Sequence, residues 1–215
     1  MDATPSRSPG APLRIAVLLS GSGTSLENLF EHIEAGLPAE VVCVVSSKKS
    51  AFGLERAERR GLPAIAVPRR DFADGAAFND ALHEALAPFA PDLVCLLGFL
   101  SIFELRGIYE GKCLNVHPAL IPAFSGKGFY GHHVHKAVLE KGVKLTGATV
   151  HFASERYDEG PILLQGTVDV RDDDTPDTLA ARVQAKEREL VPEAIRLIAE
   201  GRVTIEHGRT RVATE

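Results

Sequence analysis

The residues best suited to chemistry lie in one stretch, Cys113-Leu-Asn-Val-His-Pro-Ala-Leu-Ile-Pro122. It begins as an apolar, strand-like run that carries Asn115 and His117, and two prolines prevent the run from continuing. Residues i and i+2 of a strand project from one face, so this amide and this imidazole are predicted to point the same way. Ligands of α/β proteins bind at the carboxyl ends of strands. The alternative is a structural pair that is hydrogen-bonded locally at a strand end.

A second candidate is the glycine-rich turn Ser20-Gly-Ser-Gly-Thr-Ser25, between an apolar run and a helical pattern. Backbone N–H groups at such a turn, together with the helix dipole, favour a phosphate. The third glycine of the dinucleotide fingerprint is replaced by Leu26, and the second strand ends in Ser46-Ser47-Lys48 without a carboxylate, which argues against NAD. The turn has no Walker lysine. A monophosphate is therefore predicted here, with a plain tight turn as the alternative.

Three further polar features have simpler interpretations. The link Tyr157-Asp158-Glu159-Gly160-Pro161 could be a solvated turn, since Asp and Gly are ordinary turn residues. His132-His133-Val134-His135 resembles a metal motif, but helical zinc sites pair His at i and i+4 and need a third ligand. No nearby Cys or carboxylate completes a set, so no metal is predicted. His151 is interpreted as a packed or supporting histidine.

Composition narrows the class of protein. At 215 residues and 23.1 kDa the chain suits one domain. A net charge of −5 gives no electrostatic basis for binding nucleic acid or an anionic membrane, and no apolar run approaches the roughly 18–20 residues that span a bilayer. Residues 1–12 have no apolar signal-peptide core and are predicted to be a disordered tail. Three cysteines without CxxC spacing suggest buried, reduced thiols in a cytoplasmic protein: Cys43, Cys95 and Cys113.

Alternating strand and helix patterns position these candidates. The run Leu13–Leu19 is apolar on both faces, as in a central strand of a parallel sheet. Two later strands, Leu145–Ala153 and Pro161–Val170, are joined by a link too short for a parallel crossover, so they are predicted to pair antiparallel. The predicted fold class is α/β, an open Rossmann-like, mostly parallel twisted sheet with an antiparallel C-terminal edge. One domain is expected over residues 13–206, followed by a polar tail at 207–215.

Taken together, these pieces resemble the phosphoribosylglycinamide formyltransferase family, folate-dependent enzymes of de novo purine biosynthesis. The resemblance runs from about Leu13 to about Val203. The Asn-x-His-Pro and Asp-x-Gly-Pro patterns resemble formyltransferases that use 10-formyltetrahydrofolate, and SGSGTSL resembles the glycinamide ribonucleotide branch. The segments that carry the resemblance are Ser20–Leu29, Ala51–Ala57, Pro91–Ile102, Leu114–Gly131, Gly147–Phe152 and Tyr157–Gln165.

The resemblance implies transfer of a formyl group from 10-formyltetrahydrofolate to the amine of 5-phosphoribosylglycinamide, without a metal. Asn115 and His117 are implied to donate hydrogen bonds to the tetrahedral oxyanion, and Asp158 to pair with His117 and raise its pKa. The implied ribonucleotide-binding residues are Gly23, Thr24, Ser25, Gln184 and Glu187, the last accepting from the ribose hydroxyls. The implied folate-binding residues are Leu100, Ser101, Ile102, Phe103 and Asn115, largely through backbone groups.

The sequence departs from the family pattern at three places. Ser101, Gly75 and Gln184 stand where many or some members have a basic residue, although Arg69 and Arg70 lie close to Gly75 in the chain. How the folate glutamate tail is held, and part of the phosphate contact, are therefore open. The role of the three neighbouring histidines is also open.

Other members of the superfamily remain alternatives. A formyltetrahydrofolate hydrolase shares the trio but usually has an extra N-terminal domain, and methionyl-tRNA formyltransferase needs a basic C-terminal domain. A non-catalytic folate-binding module is the alternative from another class. The expected partners are small molecules, with no nucleic acid and no membrane, and the expected state is a monomer or homodimer. The glycines of the Pro122–Gly131 loop would allow it to close over substrate.

Overall fold

Strands and helices alternate along residues 10–214, the part of the chain that the computed structural model describes. The strands are β1 (Leu13–Leu19), β2 (Ala39–Ser46), β3 (Ala64–Ala66), β4 (Leu93–Leu96), β5 (Cys113–His117), β6 (Leu145–Phe152), β7 (Ile162–Asp169), β8 (Val203–Glu206) and β9 (Arg209–Val212). The helices are α1 (Thr24–Glu34), α2 (Phe52–Arg59), α3 (Gly75–Leu86), α4 (His132–Lys141) and α5 (Pro176–Ala199). Residues 1–9 of the predicted disordered tail lie outside the described residues.

Residues 10–114 form one compact unit. Its strands have the order β3-β2-β1-β4, and β1 pairs in parallel with both β2 and β4. Every residue of β1 except Arg14 is buried, as predicted for a central strand apolar on both faces. The apolar face of α1 buries Leu26, Leu29 and Phe30. This arrangement places the turn between β1 and α1 at the carboxyl end of the central strand.

Residues 115–214 form a second compact unit. Its strands have the order β5-β6-β7, and β6 and β7 pair antiparallel, which confirms the prediction made from the short link. A bulge interrupts their pairing between Val150 and His151. Helices α4 and α5 pack against each other and α5 covers β6 and β7. The shared core consists of Ala119, Val134, Val138, Ala148, Val168, Leu179 and Val183.

The predicted fold class is confirmed. The strands of the first unit pair in parallel, and the second unit contains the antiparallel pair β6–β7. A separate two-stranded antiparallel sheet pairs β8 with β9, so the predicted polar tail contains a strand. The turn between them is His207-Gly208, with φ of 49° and 74°, the left-handed pair that a tight two-residue hairpin requires.

Helix α5 begins at a threonine cap followed by a proline. The Thr175 hydroxyl accepts a hydrogen bond from the Thr178 N–H, and Pro176 occupies the first helical position. Arg182, on the next turns, pairs with both oxygens of Asp174, whose side chain is 2% exposed. The start of α5 is therefore fixed by a cap and by a buried ion pair. No helix among residues 10–214 is long and apolar enough to cross a membrane.

Candidate active site

Asn115 and His151 form the first hydrogen-bonded pair of the candidate site. The Asn115 amide nitrogen lies 3.1 Å from His151 Nε2. His151 Nδ1 lies 2.9 Å from the Phe152 carbonyl oxygen, which can only accept, so the proton of this imidazole belongs on Nδ1. His151 Nε2 must then accept from the Asn115 amide. This contact fixes which way the amide of Asn115 points and leaves its second N–H available to a ligand.

The second pair joins His117 to Asp158. His117 Nδ1 lies 3.4 Å from Asp158 Oδ2, and the two side chains are 4% and 9% exposed. His117 Nε2 lies 2.8 Å from the Phe124 carbonyl oxygen and donates to it. Both nitrogens therefore face acceptors. In the neutral imidazole, Nδ1 would carry no hydrogen and would face the carboxylate with its lone pair. These two contacts therefore favour the imidazolium form over the neutral form.

Asp158 is held by a strained turn between β6 and β7. Its φ is 57°, in the left-handed region, and its Oδ2 accepts from the Gly126 N–H at 2.8 Å. Two residues later, a Cβ on Gly160 would lie 1.8 Å from the Phe152 carbonyl oxygen, so only glycine fits there. The backbone thus passes close enough to β6 to bring Asp158 within reach of both His117 and His151, whose Nε2 lies 3.7 Å from Asp158 Oδ1.

The pKa directions follow from burial and from these contacts. Desolvation lowers the pKa of His117, and it outweighs the raising effects of the Asp158 charge and the Phe124 carbonyl. Asp158 thus raises the pKa of His117, as predicted, but the larger effect of burial leaves the pKa below its usual value. For Asp158, burial alone would raise the pKa, but the proximity of His151, the hydrogen bond from the Gly126 N–H and the nearby His117 imidazole lower it. Asp158 is thus a carboxylate at neutral pH.

Thr149 supports the loop that follows β5. Its buried hydroxyl donates to the Ala119 carbonyl at 2.7 Å and accepts from the Ile121 N–H at 3.1 Å. The Gln165 amide on β7 bonds both Thr149 and the Ile121 carbonyl, each at 3.0 Å. The loop after His117 is consequently held by two strands before it reaches Phe124.

The glycine turn forms at the predicted place in the first unit. Gly23 is the N-cap of α1 with φ of 72°, and no side chain caps the helix. The first N–H groups of a helix lack partners within it, so Thr24 and Ser25 offer donors for an anion. Thr24 is exposed and Ser25 is half-buried. These features suit the predicted monophosphate.

The segment predicted to bind folate is an irregular loop after β4. Leu100 and Ile102 are 58% and 51% exposed, whereas Phe103 is buried, with its ring stacked 5.2 Å from that of His83. The Phe103 side chain therefore belongs to the core, and only its backbone can reach a ligand. The buried Asn79 side chain accepts from the Glu104 N–H at 2.8 Å, and the Ser20 hydroxyl accepts from the Leu100 N–H at 2.9 Å. Both ends of the loop are thus fixed.

Gln184 and Glu187 lie three residues apart on α5, on one side of the helix. Gln184 is exposed, and Glu187 is half-buried. Desolvation of its carboxyl group raises the pKa of Glu187 to about 7, against the lowering effect of the Arg188 charge. A carboxylate that titrates near neutrality is suited to accept from ligand hydroxyls above pH 7 and loses that capacity below it.

The side chains of the three neighbouring histidines have different surroundings. His132 pairs with Asp177 at 2.9 Å on the surface, and His133 lies against the Tyr130 ring at 5.0 Å. His135 is buried, its Nδ1 has no hydrogen-bond partner, and burial lowers its pKa to about 4. Across residues 10–214 no group of three or more metal-ligating side chains comes together. That the protein uses no metal stays a prediction.

The structure brings Asn115, His117 and Asp158 together within the second unit. Sequence reasoning did not anticipate that Thr149, the Phe124 carbonyl and the Gly126 N–H hold them. The alternation of Thr149 and His151 in β6 was a usable signal, because polar residues two apart on a buried strand usually face one site. The backbone contacts carry no side-chain signal and could not be read from the sequence.

Comparison with known proteins gives a consistent set of similarities. Residues 13–195 match the family described as formyl transferase. The chain is 34% identical to phosphoribosylglycinamide formyltransferase of Haemophilus influenzae, over 89% of this chain and 90% of that protein. A solved structure, glycinamide ribonucleotide transformylase 1 from Symbiobacterium toebii, superposes with a TM-score of 0.88 at 40% identity, covering 96% of this chain and 100% of that one.

A second kind of relative is much longer. The trifunctional purine biosynthetic protein adenosine-3 of Bos taurus is 40% identical over 94% of this chain, which matches 20% of that protein. The chain thus spans about a fifth of the trifunctional relatives that it matches.

Proposed function

Because the chain belongs to the formyl transferase family, we propose that it transfers the formyl group of 10-formyltetrahydrofolate to the amine of 5-phosphoribosylglycinamide. The products are the formylated ribonucleotide of purine biosynthesis and tetrahydrofolate. The observation that carries this proposal is the buried cluster in which Asn115 and the His117–Asp158 pair are held by His151 and Gly126. In this proposal residues 13–206 act as one formyltransferase domain. Its binding partners are small molecules, and it works in the cytoplasm.

Asn115 stabilises the charge that develops during transfer. The substrate amine attacks the formyl carbon, and the carbonyl oxygen becomes the oxyanion of a tetrahedral intermediate. The intermediate collapses when the bond between the formyl carbon and the folate nitrogen breaks, which leaves the formyl group on the ribonucleotide amine. One N–H of the Asn115 amide is held by His151, so the other is the donor to this oxyanion. A single preorganised donor of this kind contributes roughly 10²–10³ in rate.

His117 supplies the second donor and moves the proton. Its Nε2–H donates to the Phe124 carbonyl, so this bond must open before the same N–H can reach the oxyanion. Phe124 has φ of 52°, a strained backbone for a bulky residue, which favours a second arrangement of the loop. The amine loses one proton and the folate nitrogen gains one, and the His117–Asp158 pair carries it between them. General acid–base help of this kind contributes about 10²–10⁴ in rate.

The binding roles follow the family resemblance. Gly23, Thr24 and Ser25 hold the ribonucleotide phosphate, while Gln184 and Glu187 are assigned to the ribonucleotide and Glu187 accepts from its ribose hydroxyls. The backbone of Leu100, Ser101, Ile102 and Phe103 is assigned to the folate. Asn115 is assigned to the folate as well.

The main alternative is hydrolysis of 10-formyltetrahydrofolate, with water as the acceptor. The same trio could activate water, but hydrolysis gives no role to a glycine turn with free helix N–H groups. The test is to follow release of the deformylated folate with and without 5-phosphoribosylglycinamide. Release that requires the ribonucleotide supports the transferase. Equal release without it would make the protein a hydrolase, and no release in either mixture would refute both proposals.

A further inference from the structure

The glycine turn that precedes α1 rests directly on the start of α2. The Gly53 N–H donates to the Gly21 carbonyl at 3.1 Å. A Cβ on Gly23 would lie 2.6 Å from Gly53 Cα, and one on Gly53 would lie 2.4 Å from a methyl carbon of Leu19. Two glycines therefore let the turn and α2 approach closely, so the side chains of α2 can act on the turn.

Arg56 of α2 makes two directed contacts with this region. Its Nε donates to the Ser22 carbonyl at 2.9 Å, and its Nη1 pairs with Glu27 Oε2 at 2.8 Å. The guanidinium group also lies 5.0 Å from the centre of the Phe52 ring. Arg56 is half-buried, and its planar guanidinium group donates at the same time to the Ser22 carbonyl in the turn and to the Glu27 carboxylate on the first turn of α1.

Glu27 presents an electrostatic problem for a phosphate at this turn. It lies in the first turn of α1, close to the N–H groups that would bind the anion. Its pKa is lowered by hydrogen bonds from Arg60 and then Arg56, so it is a carboxylate at neutral pH. Arg56 and Arg60 bond its two oxygens, at 2.8 and 2.9 Å, and compensate the charge that would repel a phosphate.

We propose that Arg56 is a positioning residue for the ribonucleotide phosphate. It acts through the Ser22 carbonyl, which sets the direction of the turn, and through Glu27, whose charge it neutralises. It is not itself assigned a contact with the substrate. The inference rests on the proposed function, since it takes the phosphate of 5-phosphoribosylglycinamide to be the anion bound at the turn.

The test separates the phosphate from the rest of the ligand. Calorimetry would measure the affinity of the full-length protein for 5-phosphoribosylglycinamide, for its riboside lacking the phosphate and for inorganic phosphate. Arg56→Ala should weaken binding of the ribonucleotide and of inorganic phosphate by about three- to tenfold, the scale of a partly exposed charged contact, and leave the riboside unchanged. In turnover, the loss should fall on the KM for the ribonucleotide and not on the KM for folate.

Arg59 provides the matched control. It lies on the same helix and stacks on Phe52 at 5.2 Å, but it pairs with Glu55 and not with the turn. Arg59→Ala should therefore bind all three ligands as the wild type does. Arg56→Lys keeps a charge that can neutralise Glu27 but cannot bond the Ser22 carbonyl and Glu27 in the same way, so its affinity should lie between that of the wild type and that of Arg56→Ala.

Several results would overturn the inference. A loss in Arg56→Ala shared equally by ribonucleotide and riboside would indicate a general structural role. Wild-type affinity in Arg56→Lys would show that charge alone matters, and this variant decides the question if Arg56→Ala fails to fold. Unchanged binding of inorganic phosphate in Arg56→Ala would refute the inference even if the protein formylates the ribonucleotide. Equally, absence of formylation would refute the proposed function without deciding the role of Arg56.

Discussion

Replacing Asp158 by Asn removes one charge from the candidate active site and changes little else. Asn has nearly the same shape and tolerates the left-handed φ of 57° at this position. Its amide oxygen can still accept from the Gly126 N–H, which Asp158 Oδ2 now does at 2.8 Å. The ribonucleotide phosphate is assigned to another part of the chain, so its binding should be retained.

The magnitude follows from the distance between the two groups. A unit charge 3.4 Å from another is worth roughly 5 kcal/mol at an effective dielectric constant of about 20, and both side chains are more than 90% buried, so screening is weak. Measured effects of an adjacent opposite charge on a pKa are about one to three units. Without Asp158, the already lowered pKa of His117 should fall by that amount. The imidazolium fraction at neutral pH, and with it the turnover rate, should fall about 10- to 1,000-fold.

The assay is the pH dependence of turnover with both substrates saturating. If the imidazolium form of His117 is the active one, the limb of the profile that this group controls should move to lower pH in Asp158→Asn, and part of the lost rate should return on acidification. Ribonucleotide affinity, measured by calorimetry, should match the wild type. Near-normal turnover in the variant, or an unshifted profile, would refute the assignment of proton transfer to this pair.

Three further predictions follow from buried groups and from the loop after β5. Glu187 has a pKa of about 7, so the affinity for the ribonucleotide should fall as the pH drops from 8 to 6. The affinity of the Glu187→Gln variant should depend less on pH. The same pH dependence of affinity in variant and wild type would exclude this carboxylate as the ribose acceptor. Since the pKa of His135 is about 4 when folded and near 6.5 when unfolded, the unfolded chain takes up the proton first, and stability should be lost as pH falls from about 6.5 to about 4. At pH 5, His135→Phe should avoid a loss of about 2 kcal/mol in the free energy of unfolding, measured by denaturant titration. The surface variant His133→Phe should not. In hydrogen exchange, the Gly126 amide should be protected already in the free protein, whereas the amides of residues 127–130 should gain protection only when ligands are bound. Equal protection of residues 127–130 with and without ligands would contradict loop closure.

The sequence was sufficient for the parts of the site that depend on local spacing. The two-residue separation of Asn115 and His117 on a strand, the glycine turn before α1 and the short link that forces β6 and β7 antiparallel are all local patterns. Each is confirmed because a strand period, a helix N-terminus and a link length leave few alternatives. The C-terminal strand β9 was missed although His207-Gly208 is a recognisable hairpin turn.

What the sequence could not supply depends on contacts between distant residues. The bulge in the β6–β7 pairing lies between Val150 and His151, and His151 contacts Asn115, 36 residues away in the chain. The net pKa direction of His117 required knowing how completely the residue is buried, because desolvation and the Asp158 charge act in opposite directions. The contact of Arg56 with Ser22 spans 34 residues and depends on the close approach of two glycines.

The most direct test of the proposed activity is to trace the formyl group itself. The protein would be mixed with 10-formyltetrahydrofolate labelled with ¹³C in the formyl group and with 5-phosphoribosylglycinamide, and the products resolved by mass spectrometry. The account predicts one labelled formyl group on the ribonucleotide amine for each tetrahydrofolate released. Label recovered as free formate, with the ribonucleotide unchanged, would contradict it.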